Sequence, residues 1–196
     1  MKSLTFSLYS SKNTVFTAKE ISLMLKEPNL NKLKSRINYF VKKGEVLNLK
    51  NGLYAKNTDF EILEVANKIF IPSYISLETV LQKSGITFQN YDKTIFVMSY
   101  QTRDIKFGDY TISFKKIKNE ILNNPNGIIN IDGYSIACPE RAFLDRIYLS
   151  KNYYFDHLDS IDWKKARYLL KIYNNKTMER RFNSYVKDFF SSNNNV

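Results

Sequence analysis

One cysteine and one histidine, Cys138 and His157, are the chain's whole supply of the two side chains that dominate disulfide and zinc chemistry. An internal disulfide is excluded, a Cys/His zinc site cannot be assembled, and metal binding would fall to carboxylates alone. The six glycines are scattered. None belongs to a GxGxxG or GK[ST] loop, and none is followed by the Ser that a nucleotidyltransferase signature requires. No apolar run approaches the roughly 18 residues of a membrane helix, and the N-terminus lacks the apolar h-region of a signal peptide. These absences lead us to expect a soluble, cytoplasmic protein that is not an enzyme, with no metal, no cofactor and no membrane partner.

What is present is apolar mass and positive charge. Hydrophobic residues make up 43% of the 196 residues and aromatics 15%, enough for one ordinary domain or two small ones. The net charge is +11, and its distribution says more than its size. Residues 1–57 hold 11 Lys and Arg against 3 Asp and Glu, a net of +8, which leaves +3 for residues 58–196. A basic N-terminal module joined to a larger, nearly balanced one is the expected organisation.

The N-terminal module reads as helices followed by a hairpin. Leu4–Tyr9 suits a short helix or a strand equally. Thr17 and Glu20 form a capping box with Phe16 and Ile21 at the staple positions, so a helix starts at Thr17. It is expected to bury Ile21, Met24 and Leu25 and to stop near Lys26, before Pro28. Asn29 caps a second helix whose apolar stripe is Leu30, Leu33, Ile37, Phe40 and Val41, and Gly44 ends it. A strand over 45–49, an Asn51-Gly52 turn and a return over Leu53–Ala55 complete a hairpin.

The rest predicts a second α+β domain. Helices are expected over 60–70 and 76–84, then strands at Thr94–Ser99, Arg103–Phe107, Tyr110–Lys116, Ile128–Ile131 and Tyr134–Ala137, read as an antiparallel sheet. Pro139 opens a helix to Leu149 with Cys138 at its cap, and helices over 163–173 and 177–190 follow. The polar tail 191–196 is expected to be disordered.

Opposite the apolar stripe of the second helix lie Asn31, Lys32, Lys34, Ser35, Asn38 and Lys42, with Arg36 and Tyr39 on its flanks and Lys19 on the preceding helix. Amide side chains pair with adenine, Arg and Lys with guanine, and lysines neutralise phosphates. One such face is usually solvated surface, but a capped helix before it and a hairpin after it make the order of a winged helix-turn-helix. The expected partner is double-stranded DNA. Lys50 and Asn51 at the hairpin tip reach a phosphate or the minor groove, or form a solvated turn. Cys138 reads as a small half-buried cap residue rather than a reactive thiol, and His157 as a surface or packing residue.

Three stretches add a resemblance. Asn51-Gly52-Leu53-Tyr54, then Tyr74-Ile75-Ser76-Leu77-Glu78-Thr79 with Gly85-Ile86, then Ala137-Cys138-Pro139-Glu140-Arg141-Ala142-Phe143-Leu144-Asp145 occur in an order that resembles the AbiEi antitoxin family of bacterial type IV toxin–antitoxin systems. Cys138 stands where Ser or Thr is expected, which affects the helix cap and not the architecture. The resemblance covers most of the chain. It implies a repressor of its own operon that also counteracts a cognate nucleotidyltransferase toxin, with the C-terminal domain required for the antitoxin role. Inverted repeats in the operator would imply two copies per site, bound by a monomer or weak dimer. The alternative is a plain winged-helix regulator whose C-terminal domain dimerises or senses a ligand, with an enzyme a distant third.

Overall fold

The computed structural model describes residues 4–50 and 52–193. The described residues form a mixed α+β protein of nine α-helices and nine strands in two sheets. The chain divides into two compact units, one of Met1–Ile71 with Asn130–Tyr134, the other of Pro72–Ile129 with Ser135–Val196. The first unit therefore runs past residue 57 and takes in a short segment from much later in the sequence.

In the first unit, Leu4–Tyr9 forms helix α1, with Leu4 and Leu8 buried and Phe6 60% exposed. That spacing selects the helix, because in a strand the three would share one face. Strand β1 (Val15–Thr17) leads directly into α2 (Ala18–Leu25). The capping box is formed: Thr17 Oγ1 accepts from Glu20 N at 3.1 Å, and Glu20 Oε2 accepts from Thr17 N at 2.6 Å. Asn29 Oδ1 accepts from Asn31 N and Lys32 N at the start of α3 (Leu30–Lys42), and the chain leaves it through Gly44 at φ +72°. Strands β2 (Leu47–Lys50) and β3 (Leu53–Ala55) follow, and β1 pairs on the other side of β3, giving the antiparallel order β1-β3-β2. The sequence hides β1, since three residues abutting a capping box carry no period of their own.

The core of this unit is Leu4, Leu8, Phe16, Ile21, Leu33, Ile37 and Val46, edged by Leu25, Phe40, Val41 and Tyr54. Two expected core residues are not in it. Met24 is 37% exposed, because α2 turns only its Ile21 and Leu25 side inward, and Leu30 is 67% exposed at the first position of α3, before the stripe meets the core.

Helix α4 (Ile62–Ile69) locks the unit. The buried Glu64 carboxylate accepts from Thr14 N (2.9 Å), Thr14 Oγ1 (3.0 Å) and Val15 N (2.9 Å). One turn on, the Lys68 ammonium donates to Val15 O (2.6 Å) and Glu20 Oε1 (3.0 Å). Gly133, at φ +91°, lies against the same Glu64 carboxylate so closely that a Cβ there would collide with it.

The second unit carries β4 (Ser73–Ile75), α5 (Glu78–Lys83), β5 (Thr94–Ser99), β6 (Arg103–Phe107), β7 (Tyr110–Lys116), α6 (Asn119–Leu122) and the parts of β8 (Ile128–Ile131) and β9 (Tyr134–Ala137) that lie outside Asn130–Tyr134. Helices α7 (Pro139–Leu149), α8 (Trp163–Leu170), a 3-10 turn at Lys171–Tyr173 and α9 (Lys176–Asn193) complete it. The sheet is not antiparallel throughout, as expected, but mixed. Its order is β6-β7-β5-β4-β9-β8, with β5 parallel to β7 and β4 parallel to β9. Burial decides this: β5 is buried almost end to end and takes an internal place, while β6, with Arg103, Asp104 and Lys106, goes to the edge, where charge blocks further pairing. The expected disordered tail is corrected in part, since 191–193 continue α9; residues 194–196 lie outside the described residues.

Two of the sequence motifs meet in the interior of this unit. Asp145, fully buried, accepts from Tyr173 Oη (2.6 Å), Ser76 Oγ (2.7 Å) and Tyr74 Oη (3.2 Å), and Arg141 Nε lies 3.5 Å away. The same guanidinium donates to Ile121 O (2.8 Å) and Asn126 O (3.1 Å). On the other side of α7, Phe143 packs against Phe155, Trp163, Phe182 and Tyr185.

Asp145→Ala leaves the Arg141 charge buried without its counter-ion and should cost about 3–5 kcal/mol, whereas Tyr173→Phe removes one hydrogen bond to the carboxylate and should cost about 1.5–3 kcal/mol. Urea unfolding followed by Trp163 fluorescence reads this unit; equal effects of the two variants would contradict the network. Glu20 behaves differently. Its half-burial pushes its pKa up, but the Thr17 N–H and Lys68 outweigh that and hold it below the ordinary carboxylate value. A lowered folded-state pKa gives stability that is present above the ordinary range and lost as pH falls through the lowered value. Glu20→Gln should therefore be less stable than the parent near pH 7, with the gap closing as pH falls through the lowered Glu20 pKa in unfolding followed by circular dichroism. A gap independent of pH would show that the Glu20 charge contributes nothing.

Candidate nucleic-acid interface

Helix α3 carries Lys32, Lys34, Arg36 and Lys42 and no carboxylate over its 13 residues. With Leu33 and Ile37 turned into the core, Asn31, Lys32, Lys34, Ser35, Asn38, Tyr39 and Lys42 are all exposed, and Arg36 is half-buried. Asn31, Ser35, Asn38 and Lys42 follow one another at helical spacing, so they form a single row about 16 Å long. That is the span of roughly five base-pair steps at 3.4 Å each.

The presentation of this row is fixed at both ends. The Asn29 cap takes the Asn31 and Lys32 N–H groups, and Leu33 N donates to Asn29 O (2.9 Å). Those donors are then unavailable to a phosphate, so anion contacts in this region fall to the lysine side chains. Beside the first half of the row, the Leu25-Lys26-Glu27 turn and Asn31, Lys32, Ser35 and Arg36 line an open groove of about 600 Å³. At the far end, Lys43 Nζ sits 4.7 Å from the centre of the Tyr39 ring, which itself packs edge-on against Phe40.

Lys19 is exposed on the first turn of α2 and lies outside the α3 row. The β2–β3 turn is tied back to α2, because Ala18 N donates to Gly52 O at 3.0 Å. Lys50 closes β2, with a register shift between Asn48 and Lys50, and Asn51 lies outside the described residues. Two cations escaped the sequence reading. Lys26 lines the groove from a left-handed position (φ +51°) and Lys43 stacks on Tyr39, where its pairing with Glu45 is loose at 4.0 Å. Both sit at helix ends, where a face-based pattern does not reach.

The other residues singled out lie elsewhere. Cys138 is buried at the cap position of α7 without a side-chain capping bond, and burial pushes its thiol pKa up, away from the reactive thiolate. His157 is exposed, its Nδ1 2.9 Å from Asp156 O. No group of three His, Cys, Asp or Glu among the described residues could hold a metal ion, and none of the helices among them is long and apolar enough to cross a membrane. No protein-family model matches the chain, and no curated protein matches it.

Proposed function

We propose that the first unit is a winged helix-turn-helix that binds double-stranded DNA, with α3 in the major groove and the β2–β3 hairpin as the wing, and that the chain is a type IV antitoxin of the AbiEi kind. The observation that carries the DNA reading is the exposed row on α3: amides, a hydroxyl and cations along one face, with no carboxylate in the helix. In this reading Asn31, Ser35 and Asn38 face base edges, while Lys32, Lys34 and Lys42 neutralise phosphates. Arg36, Tyr39, Lys19 and the hairpin tip at Lys50 and Asn51 flank the contact.

The antitoxin half of the reading rests on the resemblance of the motifs. Its support is that their polar residues, Tyr74, Ser76, Arg141 and Asp145, pack together as one buried set, which suits residues that define an architecture and not a catalytic centre. The proposed cytoplasmic role is repression of the chain's own operon, with two copies on an inverted repeat, and protection from a nucleotidyltransferase toxin. The protein itself performs no catalysis and needs no cofactor.

Binding to a labelled promoter duplex, followed by anisotropy across a salt series, tests the first half. Replacing Lys32, Lys34 and Lys42 by Ala should weaken binding to every sequence and lower the salt slope by roughly two to three, nearly one per lost phosphate contact. Replacing Asn31, Ser35 and Asn38 should erode preference for the operator by about 1–3 kcal/mol per lost base contact while leaving random DNA held as before. An unchanged slope, or equal loss on both kinds of DNA, rejects the assigned roles.

Growth of cells co-expressing the toxin tests the second half. The full chain and the triple-lysine variant should both restore growth, because rescue is assigned to the second unit. A full chain that represses the promoter but restores no growth leaves the plain regulator as the answer.

A further inference from the structure

The second unit contains a cavity of about 700 Å³ between the 151–154 loop and one face of α9. Thr177, Arg180, Arg181, Ser184, Tyr185 and Asp188 recur along that face at helical spacing, so a single side of the helix forms one wall. The opposite wall is built in advance of any ligand. Tyr185 Oη donates to Tyr153 O (2.7 Å) and accepts from Tyr153 N (3.0 Å), which pins the loop backbone to the helix. Arg181 is held too, donating to Ile147 O (2.7 Å) and Tyr148 O (2.9 Å) at the end of α7.

Two cations remain uncommitted. Lys151 and Arg180 are exposed on the cavity lining, and neither has an ion-pair partner among the described residues. With Arg181 they set three positive charges against the one carboxylate of Asp188. Tyr154, 72% exposed, offers a ring face at the rim, beside the half-buried rings of Tyr153 and Tyr185. The volume falls within the 300–1,000 Å³ or so of small-molecule sites, and the lining combines flat aromatic surface with a few placed polar groups, as such sites do.

We propose that this cavity binds a mononucleotide, with its phosphate between Lys151 and Arg180 and its base against Tyr154. Cations alone would bind any phosphate, and tyrosines alone any flat apolar ring; their meeting in one cavity selects a ligand carrying both groups. The site is in the second unit and does not depend on the antitoxin reading. If the chain is a plain regulator, this is where its effector enters.

Calorimetric titration of the full chain with AMP, with adenosine and with inorganic phosphate tests the proposal. AMP should bind with a Kd on the order of 100 µM or tighter, and more tightly than either fragment. Lys151→Ala and Arg180→Ala should each weaken AMP about three- to fivefold, and Tyr154→Ala should weaken AMP without affecting phosphate. All three side chains are exposed, and unchanged Trp163 fluorescence and an unchanged urea midpoint will show that each variant is folded. No heat with AMP at millimolar concentration overturns the site. So does AMP binding no tighter than phosphate, or binding indifferent to all three substitutions.

Discussion

A carboxylate taken out of water is among the most expensive groups a small unit can bury, and the first unit is organised around one. Glu64 recovers its lost hydration from two backbone N–H groups and a hydroxyl at residues 14 and 15. Those contacts fix where β1 begins. The start of β1 fixes Thr17, Thr17 caps α2, and α2 with its turn sets the angle at which α3 meets solvent. Lys68 closes the chain of dependence by bonding both Val15 O and the Glu20 of the capping box. The basic face of α3 is thus aimed from α4 by the buried Glu64 and Lys68, 3.9 Å apart, while the Asn29 cap and the Tyr39–Phe40 contact hold its two ends.

The second unit solves a similar problem in another way. Its most deeply buried ion pair is Arg141 and Asp145, one helical turn apart on α7, with three hydroxyls and two carbonyls hydrogen-bonded to them. Pairs of this kind add little net stability over an apolar core, but leaving either member alone is costly, so they favour a single packing of the elements that supply the partners. Those elements are β4, the segment after it, α6 and the turn at Tyr173, which are among the shortest pieces of the unit. Short elements that cannot fix their own positions by apolar burial are positioned by the network instead.

Local signals in the sequence were enough for most of this. The Thr17 and Asn29 caps, the Gly44 exit, all five strands from Thr94 to Ala137 and the helix opened by Pro139 are each specified by a few neighbouring residues, and the structure has them. What escaped was non-local. Strands β1 and β4 are three residues each and exist because a partner strand offers hydrogen bonds, and the parallel pairing of β5 with β7 depends on which strand can bear an edge. The α3 row was legible because one face of an amphipathic helix is a local property. Lys26 and Lys43 were not, because their places follow from how a helix ends.

Gly133 lies in the first unit although more than sixty residues separate it from Ile71, and the Asn130–Tyr134 segment must be present before the Glu64 site is closed against solvent. At translation rates of about 5–20 residues per second, the ribosome takes roughly 3–13 seconds to make the intervening chain. During that interval the nascent N-terminal module has its helices but lacks the piece that seals its buried carboxylate. A chain aborted anywhere in that stretch carries the basic helix without a finished unit beneath it, which makes complete synthesis a condition for a properly aimed α3.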